Sequence, residues 1–262
     1  MKTIIGFRKM KAAQERISVV TCYDYTSAKI VNKTNIDAIL VGDSAAMVMH
    51  GYDTTVNADV SMIEKHVAAV RVGAPDKFLI ADMPFLAHRK GLEHAMDAVG
   101  ALVRAGAQAV KIEGLNADQD TIAHIVHSGV PVMGHLGLTP QSVHQIGGYK
   151  LQGIDADAEQ QLLKDACELE NRGCFSLVLE MVPATLAKKI TDSLSIPTIG
   201  IGAGPHTSGQ VLVYQDVLGM NIDFKPKFLR TYMDGFSLIK KALNTFTADV
   251  KALKYPSEKE SF

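Results

Sequence analysis

The chain has 262 residues, 47% hydrophobic and 21% charged, with a formal net charge of −1. This is the composition of an ordinary globular protein, and the absence of any basic run argues against nucleic acid or an anionic membrane as the main partner. The start, MKTIIGFRKMKAAQER, breaks its apolar run after two isoleucines, unlike a signal peptide, and no apolar stretch approaches the roughly 18 residues of a membrane span. Cys22, Cys167 and Cys174 form no C-x-x-C pattern, so free thiols in a reducing, cytoplasmic location are expected, with a small-molecule substrate.

In chain order, a charged N-terminal stretch reads as a short helix. Eight short β-branched runs follow: ISVVTCYD (17–24), DAILVGDS (37–44), KFLIADMP (77–84), QAVKIEG (108–114), VPVMGHLG (130–137), FSLVLEMV (175–182), IPTIGIGAG (196–204) and a weaker QVLVYQDVLG (210–219). Amphipathic stretches lie between them at 26–35, 64–73, 92–106, 117–129, 158–173 and 183–194, and Gly73, Gly106, Gly129 and Gly173 read as helix C-caps. This rhythm is that of parallel βαβ units, and eight of them predict a single-domain (β/α)8 TIM barrel over residues 1–262, its bottom plugged by the N-terminal helix. A C-terminal amphipathic tail, 228–253, runs into a polar KYPSEKESF. The segment 137–157 is too long for a simple connector and reads as a lid over a site.

Barrel chemistry sits at the C-terminal ends of the strands. This sequence places Asp24, Asp43 with Ser44, Asp82, Lys111 with Glu113, His135 and Glu180 there. Single acids at such places often cap the next helix, but the repetition over six strands points to a shared site. In the run AVKIEG, Lys111 and Glu113 are two apart and therefore share a strand face. Asp43, Asp82, Glu113 and Glu180 against the Lys111 ammonium leave an excess of negative charge, which a divalent cation offsets. Oxygen ligands without a His/Cys cluster favour Mg²⁺, with Asp43 and Asp82 on neighbouring strands as its ligands. The glycine-rich IGIGAGPH (199–206) reads as a tight turn rather than a phosphate site, and His135 as a hydrogen-bonding group beside the mouth.

The motifs VGDSAAMVMHGYDTT, ADMPF, RAGAQAVKIEG, GHLGLTPQSVHQIGGYKLQG, LVLEMVP, IPTIGIGAG and KPKF, in this order over residues 17 to 230, resemble the ketopantoate hydroxymethyltransferase family. The resemblance implies a (β/α)8 barrel that joins 3-methyl-2-oxobutanoate to a one-carbon unit of 5,10-methylenetetrahydrofolate. It implies Mg²⁺ held by Asp43 and Asp82, with Glu113 at the same site directly or through water. Asp43, Ser44, Asp82 and Lys111 would surround the 2-oxo acid, and Glu180 would be the general base. It also implies a homo-oligomer, often a decamer. The chain departs from the family where Val56-Asn57-Ala58-Asp59 replaces a Leu-Pro-Val-Thr-like run, and where His88 stands for a tyrosine; these touch loop shape and folate contacts. Alternatives are another metal-dependent 2-oxo acid lyase or mutase on a related barrel, a Schiff-base aldolase using Lys111, and a non-catalytic metabolite-binding barrel.

Overall fold

A computed structural model describes residues 2–115 and 119–262. Among them, strands β1 (Ile17–Thr21), β2 (Ala38–Val41), β3 (Phe78–Asp82), β4 (Ala109–Glu113), β5 (Val132–Gly137), β6 (Ser176–Glu180), β7 (Thr198–Ile201) and β8 (Gly209–Leu212) form a closed barrel in sequential order, every neighbouring pair parallel. The expected (β/α)8 TIM barrel is therefore the fold. Seven of the eight expected runs continue past the end of their strand into the turn that follows it; the fifth ends with its strand at Gly137. The eighth run is cut shortest: Tyr214–Val217, expected as strand, is a helical turn. The start of the helix expected over 117–129 lies outside the described residues, and the helix is seen over Gln119–His127.

The chain divides into two compact units, one ending at Val213 and the other spanning Tyr214–Phe262. In the second, a helix runs Gly235–Lys251 with the Asp234 carboxylate accepting from the Ser237 amide. It begins seven residues after the expected start at 228, where Asp234 supplies its cap. No helix of the described residues is long and apolar enough to cross a membrane.

Strand parity organises the barrel interior. Residues two apart share a face, and the buried core series Ile17 and Val19, Ala38 and Leu40, Phe78 and Ile80, Ala109, Met133, Val178, Ile199 and Val211 defines the inward one. The expected N-terminal plug is present as the helix Ile4–Ala12, capped by Thr3, which brings Phe7 and Met10 into this cluster. The Phe7 ring meets Phe78 edge-on at 5.2 Å and stacks on Phe175 at 6.4 Å. Lys11 Nζ then fastens the helix by donating to the carbonyls of Thr191, Leu194 and Ile196 at 2.8, 2.6 and 2.8 Å.

Outside the barrel, Gly106, Gly129 and Gly173 take the positive φ expected of C-caps. Gly73 does not. It is the last residue of the helix Val60–Gly73, and a Cβ there would lie 2.7 Å from the Ala28 Cβ, so this glycine serves close packing against the helix Tyr25–Asn32.

Phe7→Ala empties the base of the barrel and is expected to cost about 3–5 kcal/mol. Urea denaturation of wild type and variant, with unchanged m-value, measures it.

Candidate active site

The inward series turns polar at its C-terminal end. Asp82 lies two residues beyond Ile80, Lys111 and Glu113 continue from Ala109, His135 follows Met133, and Glu180 follows Val178. Register sets the neighbours: Asp82 pairs with Lys111, Glu113 with His135, and Glu180 lies one inward step beyond Val178, the partner of His135. The result is a continuous chain of contacts. Lys111 Nζ stands 2.9 Å from Asp82 Oδ1 and 3.4 Å from Glu113 Oε1. His135 Nδ1 is 3.2 Å from Glu113 Oε1, and its Nε2 is 3.2 Å from Glu180 Oε2.

Asp43 arrives by another route, because it lies beyond the end of β2 and off its inward parity. Gly42 occupies the inward position, where a Cβ would stand 3.2 Å from Asp82 Oδ2 and 3.0 Å from Ser44 Oγ. The space left there lets the turn fold back, so that the Asp43 amide donates to Asp82 Oδ2 at 2.9 Å. Ser44 follows, its hydroxyl 2.8 Å from that of the buried Tyr23. Asp24, also named at a strand end, is a helix cap accepting from the Ser27 amide and stays out of the cluster. On the far side, Met181 holds a left-handed φ of 48°, fixed by its amide donating to Ile201 and its carbonyl accepting from Gln152. Backbone strain of this kind, worth about 1–3 kcal/mol, lies directly after Glu180.

Two contributors were missed or undervalued in the sequence. Gln141, from the 137–157 segment, is buried: its Nε2 donates to Asp43 Oδ2 at 2.8 Å and to the Met83 carbonyl at 3.0 Å, and its amide donates to Glu113 Oε2 at 3.0 Å. Within this segment, expected as a lid, the helical turns Pro140–Ser142 and Val143–Ile146 set Gln141 against the site. The signal was present in GLTPQS, where proline starts a helical turn that turns the next side chain inward. His135, expected only as a hydrogen-bonding group beside the mouth, lies between two carboxylates.

The charges are mutually dependent. Burial pushes the Asp43 carboxyl well above the usual range, and Asp82 and Glu113 push it further. Burial also raises Asp82, despite its ion pair with Lys111. Burial would draw the proton from Lys111, but Asp82, Glu113 and Asp43 outweigh it, so the ammonium is held more firmly than usual. This disfavours Lys111 as a Schiff-base nucleophile. Glu113, opposed by burial but held by Lys111 and His135, falls to about 2. His135 loses stability as a cation through burial and Lys111, yet Glu113 and Glu180 raise it to about 9. Its Nδ1 is also 3.2 Å from Lys111 Nζ, a contact that would require a neutral ring. The imidazolium is preferred, since only two N–H groups serve two carboxylates.

Among the described residues, no three His, Cys, Asp or Glu side chains converge tightly enough to hold a metal ion alone. Both Glu113 oxygens face donors: Oε1 faces Lys111 and His135, and Oε2 accepts from the Gln141 amide. Asp43 and Asp82 are two buried carboxylates whose charge is under-compensated, a donor set that suits a hard cation needing only one or two protein oxygens.

The family model of ketopantoate hydroxymethyltransferase matches residues 1–258. The chain belongs to this family. Among ketopantoate hydroxymethyltransferase relatives named 3-methyl-2-oxobutanoate hydroxymethyltransferase, that of Bdellovibrio bacteriovorus is 56% identical over 262 residues, all of both chains. That of Coxiella burnetii is 55% identical over 251 residues, 95% of this chain and 94% of its own. The chain is thus an enzyme, a transferase. A phosphonomutase of Burkholderia cenocepacia (TM-score 0.62, 15% identity, 96% of this chain and 100% of that one) and a phosphonopyruvate hydrolase (0.63, 13%, 99% and 93%) share its barrel fold.

The two family departures have local explanations. Asp59, where the family has a threonine-like residue, caps Val60–Gly73 by accepting from the Met62 amide at 2.7 Å, a role both residue types fill. His88 is buried and accepts from Arg89 Nε at 3.2 Å; burial, helped by Arg89, lowers it to about 4.

Because His135 is raised in the folded state, its stabilising contribution is complete below about pH 6.5 and is lost as pH rises through about 9. In metal-free protein, stability in urea is expected to fall by the order of 1 kcal/mol or more across that window, and His135→Gln is expected to remove this slope.

Proposed function

We propose that the chain transfers a hydroxymethyl group from 5,10-methylenetetrahydrofolate to 3-methyl-2-oxobutanoate, giving ketopantoate, in a Mg²⁺-dependent reaction with Glu180 as general base. The observation that carries this reading is the unbroken contact chain Asp82, Lys111, Glu113, His135, Glu180 across four adjacent strand ends, in a chain 56% identical to a 3-methyl-2-oxobutanoate hydroxymethyltransferase. The donor identity rests on the family resemblance.

Asp43 and Asp82 would hold Mg²⁺, with Glu113 acting through water because its oxygens already face donors. When bound, Mg²⁺ supplies Lewis-acid stabilisation of negative charge developing on the keto oxygen of the substrate. Lys111 contributes a fixed positive charge toward the 2-oxo acid, and Ser44, oriented by Tyr23, offers a hydroxyl. Glu180 removes the C3 proton: the C3–H bond breaks, its electron pair becomes that of the enolate, and the proton rests on the carboxylate. The imidazolium of His135 fixes Glu180 Oε2 during this transfer. C3 then bonds to the methylene carbon as its two C–N bonds to the folate break; water oxygen becomes the product hydroxyl, and the proton held by Glu180 and one from that water go to the two folate nitrogens, giving tetrahydrofolate.

Purified protein with 3-methyl-2-oxobutanoate, methylenetetrahydrofolate and Mg²⁺ should form ketopantoate; metal-independent turnover, or none, sinks the reading. Glu180→Gln is expected to lower deuterium exchange at C3, measured without folate, by about 10²-fold or more. Asp82→Ala is expected to weaken Mg²⁺ binding at least tenfold by calorimetry, about 1.4 kcal/mol.

A further inference from the structure

Apart from the mouth cluster, two histidines meet on the outer side of the same barrel end. His50 follows the short helix Ala45–Val48, and His66 lies within Val60–Gly73. Their Nε2 atoms are 2.9 Å apart, with ring planes inclined by 71°. The tautomer of His66 is fixed by its other nitrogen: Nδ1 lies 2.6 Å from the Tyr23 carbonyl oxygen, which can only accept. Nδ1 therefore carries a hydrogen, and in the neutral ring Nε2 presents its lone pair to His50. His66 is half-buried and held, whereas His50 is exposed.

A ring whose far N–H is given to a backbone carbonyl while its near nitrogen offers a lone pair is the usual state of an imidazole metal ligand. The spacing also fits. Two metal–nitrogen bonds of about 2.0–2.1 Å across 2.9 Å enclose about 90°, the cis angle of a tetragonal or octahedral centre. A tetrahedral angle needs a separation of about 3.3 Å, a small turn of His50.

We propose that His50 and His66 form a two-imidazole site for a divalent transition ion of the Zn²⁺, Ni²⁺ or Cu²⁺ class, water completing the shell. On binding, the hydrogen on His50 Nε2 moves to its Nδ1, so both rings ligate as neutral imidazoles. The donor type separates this site from the carboxylate mouth, since imidazole nitrogen prefers borderline ions and Mg²⁺ prefers oxygen. Its position gives it a consequence. Tyr23 anchors His66 through its carbonyl and Ser44 through its hydroxyl, and Ser44 begins the segment that ends at His50. A bound ion would fasten the far end of that segment, which follows Asp43 and Ser44, to the helix already tied to Tyr23.

The test uses the full chain in excess Mg²⁺. Electron paramagnetic resonance of one equivalent of Cu²⁺ is expected to show nitrogen hyperfine structure from two imidazoles in wild type and in Asp82→Ala, and from one at most in His50→Ala and His66→Gln. Calorimetric Zn²⁺ affinity is expected to fall at least tenfold in His50→Ala. A two-nitrogen signal that survives His50→Ala, equal Zn²⁺ affinity in wild type and that variant, or absence of Zn²⁺ binding to wild type overturns the proposal.

Discussion

Lys111 carries its ammonium into the barrel mouth almost wholly away from water, 2.9 Å from one carboxylate and 3.4 Å from another. Isolated, such a charge would be expelled or neutralised. Here it is the counter-charge that allows Asp82 and Glu113 to share one cavity, with Asp43 close behind. Removing one partner of such a buried pair leaves the other unpaired, which costs far more than the pair contributes. The apolar layer beneath, from Phe7 up to Ile80 and Met133, keeps water away and strengthens every one of these interactions. Fold and chemistry therefore rest on the same contacts.

Much of this was legible because the barrel reads sequence through a period of two. Once AVKIEG is a strand, Lys111 and Glu113 must share a face, and the apolar residues below them show that it is the inward one. Glu180 and Asp82 follow by the same step. Asp43 does not, since parity places it outward; a glycine and a turn return it, and no periodicity encodes that. Gln141 was hidden for a similar reason. It belongs to no strand, and its bonds reach residues 98 and 28 positions away in the chain. Length marked the long segment as a cover, but it did not show that a proline-led helical turn inside it sets Gln141 against Asp43 and Glu113. Gly73 shows the remaining ambiguity: a glycine at a helix end signals a cap or a close approach, and only the neighbouring helix decides.

His135 illustrates how context assigns a role that residue type leaves open. A histidine at a strand end is common, and nothing in VPVMGHLG distinguishes a passive one. Register does, because it sets Glu113 directly beside it and Glu180 diagonally across. Two carboxylate neighbours convert a ring that burial would strip of its proton into a cation. The mouth thus carries two positive groups, alternating with its acids along the strand ends.

The aromatic base formed by Phe7, Phe78 and Phe175 has a consequence for traffic. A barrel filled below by rings and fastened by Lys11 is closed at its base among the described residues. On the proposed reaction, the small oxo acid occupies the floor of the mouth and the bulky folate its rim. On that proposal the small reactant is expected to bind before the large one and the product to leave after it.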